Sequence, residues 1–97
     1  MKLFWADTAK RDLVSIFIYI AADYPAAAKR LVNRIRERAR NATLSPLASR
    51  IVPELSRDDI RELIEGNYRI VYQVFPERLL ILTVFEGHRL LSPLPLG

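Results

Sequence analysis

One histidine and twelve arginines carry most of the chemistry this sequence could perform. His88 stands beside Arg89, near the end of a run that reads as a strand. A neutral imidazole or a carboxylate such as Glu54 could in principle serve as a general base. The commoner meaning of a lone histidine beside an arginine is a structural or solvated pair, and no spacing here is diagnostic. Ser15, Ser45, Ser49, Ser56 and Ser92 have no histidine at nucleophile spacing. Nothing resembles a phosphate-binding glycine loop or a dinucleotide fingerprint. Without cysteine, and with one histidine, the chain has no thiol nucleophile and too few ligands for a zinc site. No metal or cofactor is expected.

The basic residues are better read as a surface. Only Lys2, Lys10 and Lys29 are lysines among fifteen basic side chains, and the net charge is +4. Guanidinium is a planar fork of donors that suits carboxylates and phosphates. An acidic protein partner and a nucleic acid both fit such a surface, and charge alone does not separate them.

The elements that must position these groups follow from periodicity. Lys2 to Trp5 is a short strand candidate, and Asp7 or Thr8 can cap the helix that follows. Ala9, Leu13, Ile16, Phe17, Ile20 and Tyr24 recur at helical spacing. The run Leu13 to Ala22 is too short to cross a bilayer, and its leader holds Asp7 and Asp12, so it reads as a core helix rather than a signal or span. Pro25 opens a second helix reaching about Thr43, apolar along Ala27, Ala28, Leu31, Val32, Ile35, Ala39 and Ala42. Arg30, Arg34 and Arg38 form a row beside that stripe, with Lys29, Arg36 and Arg40 further round.

Ser45-Pro46 stops the helix, and Leu47 to Pro53 leads into β structure. Strands are expected over Ile60 to Glu65, Tyr68 to Phe75 and Leu79 to Glu86, joined at Gly66-Asn67 and Pro76-Glu77. The spacing predicts one α+β domain over residues 1–97, ordered strand, helix, helix, strand, strand, strand. Its antiparallel sheet carries a helical hairpin on one face. Tyr68, Ile70, Tyr72 and Val74 share one face of their strand, Val71 and Phe75 the other, and Leu79 to Phe85 is apolar almost throughout. A sheet covered on one side should alternate, so something must cover the second face. The expected cover is a partner chain. Arg61 and Glu62 alternate with Ile60 and Leu63, which fits either a cross-strand ion pair with a neighbour such as Arg69 or contact with a partner.

In this order the residues carry a resemblance. Trp5-x-x-x-Ala9-x-x-Asp12-Leu13, Ile16-x-x-Tyr19-Ile20, Pro25-x-Ala27-Ala28, Pro46-x-x-x-Arg50-x-x-x-Glu54-Leu55, Ile60-Arg61-Glu62-Leu63, Tyr68-Arg69-Ile70-Val71-Tyr72 and Ile81-Leu82-x-Val84-Phe85 before His88-Arg89 together resemble the RelE/ParE superfamily, nearer its ParE branch. Ser49 departs from the pattern, where the family usually has glycine before the arginine.

The resemblance implies a cytoplasmic toxin of a type II, plasmid-stabilisation-type toxin–antitoxin system. Its partner would be a cognate antitoxin whose C-terminal segment wraps it into a hetero-oligomer. It further implies either a ParE-like inhibitor that binds DNA gyrase or, alternatively, a RelE-like endoribonuclease acting on messenger RNA in the ribosome. RelE-like enzymes resemble this chain at Arg89 and Arg61. The lysines those enzymes carry are missing from Ile51 to Glu65, and the tail Leu90 to Gly97 has no tyrosine. His88, Arg89, Arg61 and Glu54 are thus weak catalytic candidates. Arg34, Arg38, Arg50, Arg61, Arg69, Tyr72, Phe75 and Arg89 are the expected contacts with antitoxin or target. A third reading, a nucleic-acid-binding module using the arginine helix, follows from charge alone.

Overall fold

A computed structural model describes residues 1–87 together with Leu94 and Leu96. The elements are β1 (Lys2–Trp5), α1 (Asp7–Ala21), α2 (Pro25–Ala42), β2 (Arg50–Ile51), β3 (Ile60–Glu65), β4 (Tyr68–Val74) and β5 (Arg78–Glu86). They form one five-stranded sheet in the order β1-β5-β4-β3-β2. The expected α+β architecture and element order are present, with two additions. β1 pairs parallel to β5, which makes the sheet mixed, and the two-residue β2 pairs with β3.

Local chemistry explains most of the boundaries. Pro25 sits in the first turn of α2, where its missing N–H has no intrahelical partner to lose. The α1 N-cap is Ala6, with no side-chain cap; Asp7 is already helical. The expected capping by Asp7 or Thr8 is therefore wrong, and Asp7 instead places negative charge in the first turn. Tyr24, expected in the α1 stripe, lies beyond the helix and is exposed, because Pro25 disfavours a helical conformation there. At the β3–β4 turn Gly66 has φ +58° while Asn67 does not adopt positive φ. That is the type II′ pattern, with glycine at the first central position.

A bulge in β5 resolves the apolar run. Val71 pairs with Thr83 and Tyr72 with Ile81, leaving Leu82 as the extra residue. The alternation therefore changes phase: Leu79, Ile81 and Val84 join the helix-side core, while Leu80, Leu82 and Phe85 join the other face. Near the bulge β1 has already ended, and the Asp12 carboxylate of α1 accepts hydrogen bonds from the Thr83 hydroxyl (2.6 Å) and the Val84 N–H (2.9 Å).

The helix-side core joins Ala9 and Leu13 of α1 and Leu31, Ile35, Ala39 and Ala42 of α2 to Ile70, Tyr72, Leu79, Ile81 and Val84. The second face was expected to await a partner, and that expectation is overturned. Val52, Ile60, Val71 and Leu82 are fully buried there, packed with Leu55, Leu80, Phe85 and Leu94. The segment before β3 folds back over the sheet, and a tail leucine adds to the cover.

Candidate functional site

Two regions hold the candidate side chains. The first is an ionic chain on the second sheet face. Glu62 on β3 is fully buried, as is most of Arg69 on β4. The Arg69 Nε donates to Glu62 Oε1 at 2.7 Å, and its two terminal nitrogens donate to both oxygens of Glu54 at 2.8 and 2.9 Å. Arg50 pairs with the other oxygen of Glu62. The Arg69 guanidinium also lies 5.1 Å from the Phe85 ring centroid. Two carboxylates and two guanidiniums thus satisfy one another in a fork geometry.

The hydrogen bonds from Arg69 are the main reason the Glu54 carboxyl titrates at about 2, far below its usual 4.5. The same bonds push Arg69 further up, though burial opposes them. A carboxylate held in this way is a poor general base near neutrality, since Brønsted efficiency favours a pKa close to the working pH.

Arg61 is also occupied. Its guanidinium donates to the carbonyls of Asp58 (2.9 Å), Leu47 (3.1 Å) and Ser49 (2.9 Å). The Tyr72 hydroxyl donates to the Pro46 carbonyl at 2.6 Å and hydrogen-bonds Ser49 Oγ at 2.9 Å, and burial raises its pKa. Ser49 does not adopt positive φ, so its backbone has no need of glycine there, and its hydroxyl supplies a partner for a buried tyrosine. Together Arg61 and Tyr72 staple residues 46–49 to the sheet.

The remaining expected contacts are dispersed. Arg34 pairs with Glu65 at 3.1 Å, and Arg38 donates to the Ile64 carbonyl at 3.1 Å, closing part of the β3 edge. Phe75 is half-buried under the Arg78 guanidinium, 4.3 Å from its centroid. His88 and Arg89 lie outside the described residues. The structure therefore brings Arg50, Glu54 and Arg69 together around Glu62, places Arg61 and Tyr72 beside them as staples, and puts Arg34, Arg38 and Phe75 elsewhere. The ion pair foreseen between Glu62 and Arg69 forms, but buried and shared with Glu54 and Arg50.

The second region was not foreseen. Between α1 and α2 runs an open groove of about 620 Å³. Trp5, Leu13, Val14, Phe17 and Val32 make it apolar, while Lys10, Lys29 and Arg36 make it basic. Among the described residues these three cations make no ion pair. The signal was in the sequence: residues 13–21 hold Ser15 as the one small polar side chain in a helix that a two-layer fold can bury on only one face.

Among the described residues no group of His, Cys, Asp and Glu is placed to hold a metal ion, and no helix is long and apolar enough to cross a membrane.

Comparison with known proteins adds the family. No curated protein matches the chain by sequence. Its fold is similar to that in the chromosomal ParDE toxin–antitoxin system from P. aeruginosa, with a TM-score of 0.74 and 21% identity over 89% of this chain and 95% of that one. It is also similar to a chain of the RelBE2 toxin–antitoxin complex from Mycobacterium tuberculosis, with a TM-score of 0.63 and 20% identity over 88% and 95%. At these identities the likeness speaks for the fold. The sequence profile of the ParE toxin of type II toxin-antitoxin system, parDE, matches residues 3–91, nearly the whole chain, and the chain belongs to that family.

Proposed function

We propose that this ParE-type toxin acts by binding its target rather than by catalysing a reaction, that the target is DNA gyrase, and that a cognate antitoxin neutralises it in the cytoplasm. One observation carries the reading: the acid–base and cationic candidates of the described residues are already engaged. Arg61 holds three carbonyls, and Glu54 is clamped by Arg69. A nuclease needs a free base for the attacking hydroxyl and an available cation for the phosphorane. The missing lysines and tail tyrosine point the same way. That the similar folds come from toxin–antitoxin complexes supports the antitoxin partner.

The test is induction of the wild type and of Glu54→Gln, His88→Ala and Arg89→Ala in cells, with supercoiling and messenger integrity read together. Loss of supercoiling with intact messages, little changed by Glu54→Gln or His88→Ala, is the expected result. Rapid message cleavage abolished by one substitution, with supercoiling intact, would establish the endoribonuclease instead.

A further inference from the structure

We propose that Asp12 and Thr83 act as a register lock: from α1, Asp12 selects which side chains β5 presents beyond Leu82. The proposal is independent of the toxin's target. The bulge divides β5 into two parts. Before it, Leu79, Leu80 and Ile81 face Val74, Gln73 and Tyr72; after it, Thr83, Val84 and Phe85 face Val71, Ile70 and Arg69. Carrying the first register on without a bulge would set Leu82, Thr83, Val84 and Phe85 opposite Val71, Ile70, Arg69 and Tyr68. Thr83, Val84 and Phe85 would each be paired one residue out, and Val84 and Phe85 would exchange faces.

Hydrophobicity does not choose between these two arrangements. With the bulge, Val84 joins the helix-side core, while Leu82 and Phe85 join the second face. Without it, Phe85 would take the helix side, and Leu82 and Val84 the second face. Either arrangement buries the same apolar side chains.

The polar groups do choose. β1 covers the outer edge of β5 only as far as Ile81, whose carbonyl accepts from the Ala6 N–H at 2.9 Å. Beyond that point the Asp12 carboxylate stands in for a neighbouring strand. Its Oδ2 accepts from the Thr83 hydroxyl at 2.6 Å and from the Val84 N–H at 2.9 Å. In the bulge-free register Thr83 would take the place opposite Ile70 that Val84 now fills at 2% exposure. Its hydroxyl would leave the sheet edge for the apolar core, where a hydroxyl without a partner is costly. A polar pair that fixes a register left open by apolar packing is an attested use of such groups.

The selected register reaches the other side of the sheet. The Arg69 guanidinium lies 5.1 Å from the Phe85 ring centroid because the bulge turns Phe85 to that face. A carboxylate in the helix layer thus sets a contact of the buried ionic chain. It also fixes where the chain leaves β5, since losing the bulge would move that exit by one residue, about 3.3 Å.

The test is NMR spectroscopy of the full chain as wild type, Asp12→Ala, Thr83→Val and Asp12→Asn. Cross-strand contacts of Val71 with Thr83 and Ile70 with Val84 mark the bulged register. Contacts of Val71 with Leu82 and Ile70 with Thr83 or its replacement mark the other. A ring-current shift on the Arg69 side chain reports the face that Phe85 occupies. The wild type and Asp12→Asn should show only the bulged contacts, because the amide oxygen still accepts both hydrogen bonds. Asp12→Ala and Thr83→Val should show the second set and a weakened Arg69 shift. In Asp12→Ala the Val84 amide should also exchange about 10-fold faster, as the loss of a charge-assisted bond implies. Pairing of Tyr72 to Val74 with Leu79 to Ile81 should be unchanged throughout.

Thr83→Val keeps the shape of the side chain, so it decides the matter even where Asp12→Ala is too unstable to read. Bulged contacts alone in Thr83→Val, or in a folded Asp12→Ala, overturn the proposal. So does an even loss of amide protection across the sheet with the register intact, which is what a merely structural role would give. An Asp12→Asn variant that slips as Asp12→Ala does would overturn it as well.

Discussion

The two outer surfaces of this domain are built on opposite rules. On the sheet face away from the helices, a fully buried Glu62 is matched by Arg69 and Arg50, and apolar residues are roofed by Val52, Leu55 and Leu94. Among the described residues no buried side-chain nitrogen or oxygen lacks a partner. On the helical hairpin, apolar side chains such as Val14 and Ile18 stand in solvent beside Lys10, Lys29 and Arg36, which make no ion pair among the described residues. A face whose charges are spent on one another holds the fold together. A face whose charges and apolar groups are both open can hold something else. Arginine content alone cannot tell these apart, because Arg69 and Arg36 look alike in a sequence.

Substitutions can break that contrast, beginning with the buried ion pair. Arg69→Met leaves Glu62 buried with Arg50 alone and strands Glu54, so stability should fall by roughly 3–5 kcal/mol. Lys29→Glu, on the open face, should stay within about 0.5 kcal/mol of the wild type. Urea denaturation of the two side by side is the measurement, and similar losses would mean the two faces are not different in kind.

Arg61→Ala should come next. It frees three backbone carbonyls and should cost roughly 1–3 kcal/mol, with faster amide exchange concentrated in residues 44–51. Exchange that rises evenly across the domain would show that Arg61 is no local staple. Tyr72→Phe deletes only the hydroxyl bonded to Pro46 and Ser49, and a loss of about 1 kcal/mol is expected.

The smallest effect is a pH dependence. Glu54 has a folded pKa of about 2, depressed from 4.5 chiefly by the Arg69 hydrogen bonds. Its contribution is complete above the unfolded value and is lost as pH falls from about 4.5 towards 2. The carboxylate is part-exposed, so solvent screens it and the effect is modest. The urea midpoint of Glu54→Gln should fall less steeply than that of the wild type through this window. Parallel curves would show that the Arg69 clamp adds nothing.

Much of the fold was legible because periodicity and punctuation agree. Pro25, Gly66-Asn67 and Pro76-Glu77 each fall where a chain turn occurs. The bulge at Leu82 was not legible, since a register shift depends on which residues oppose β5 and not on its own composition. The cover over the second face was missed for a related reason. Val52 and Leu55 sit in a segment without periodicity, and what seats it on the second face is tertiary: the Val52 N–H donates to the Ile60 carbonyl and Glu54 pairs with Arg69.

Of the candidate site, Glu54 and Arg69 could be named but not joined, because the bond between them spans fifteen residues. Glu62, the centre of the ionic chain, looked like a surface residue on an alternating strand. The groove left a trace in the apolar second half of α1, where Val14, Phe17 and Ile18 are exposed, but the cations that give it character come from both helices and converge only when the hairpin closes.

The central claim is that this toxin acts as a binder with no turnover. It is tested most directly by titrating the purified chain against a fixed amount of purified gyrase, and in parallel against ribosomes carrying messenger RNA. The account predicts that supercoiling falls along a binding curve, with inhibition requiring toxin in at least stoichiometric amount, while messages stay intact. Cleavage of many messages per toxin molecule, with gyrase unaffected, would contradict it.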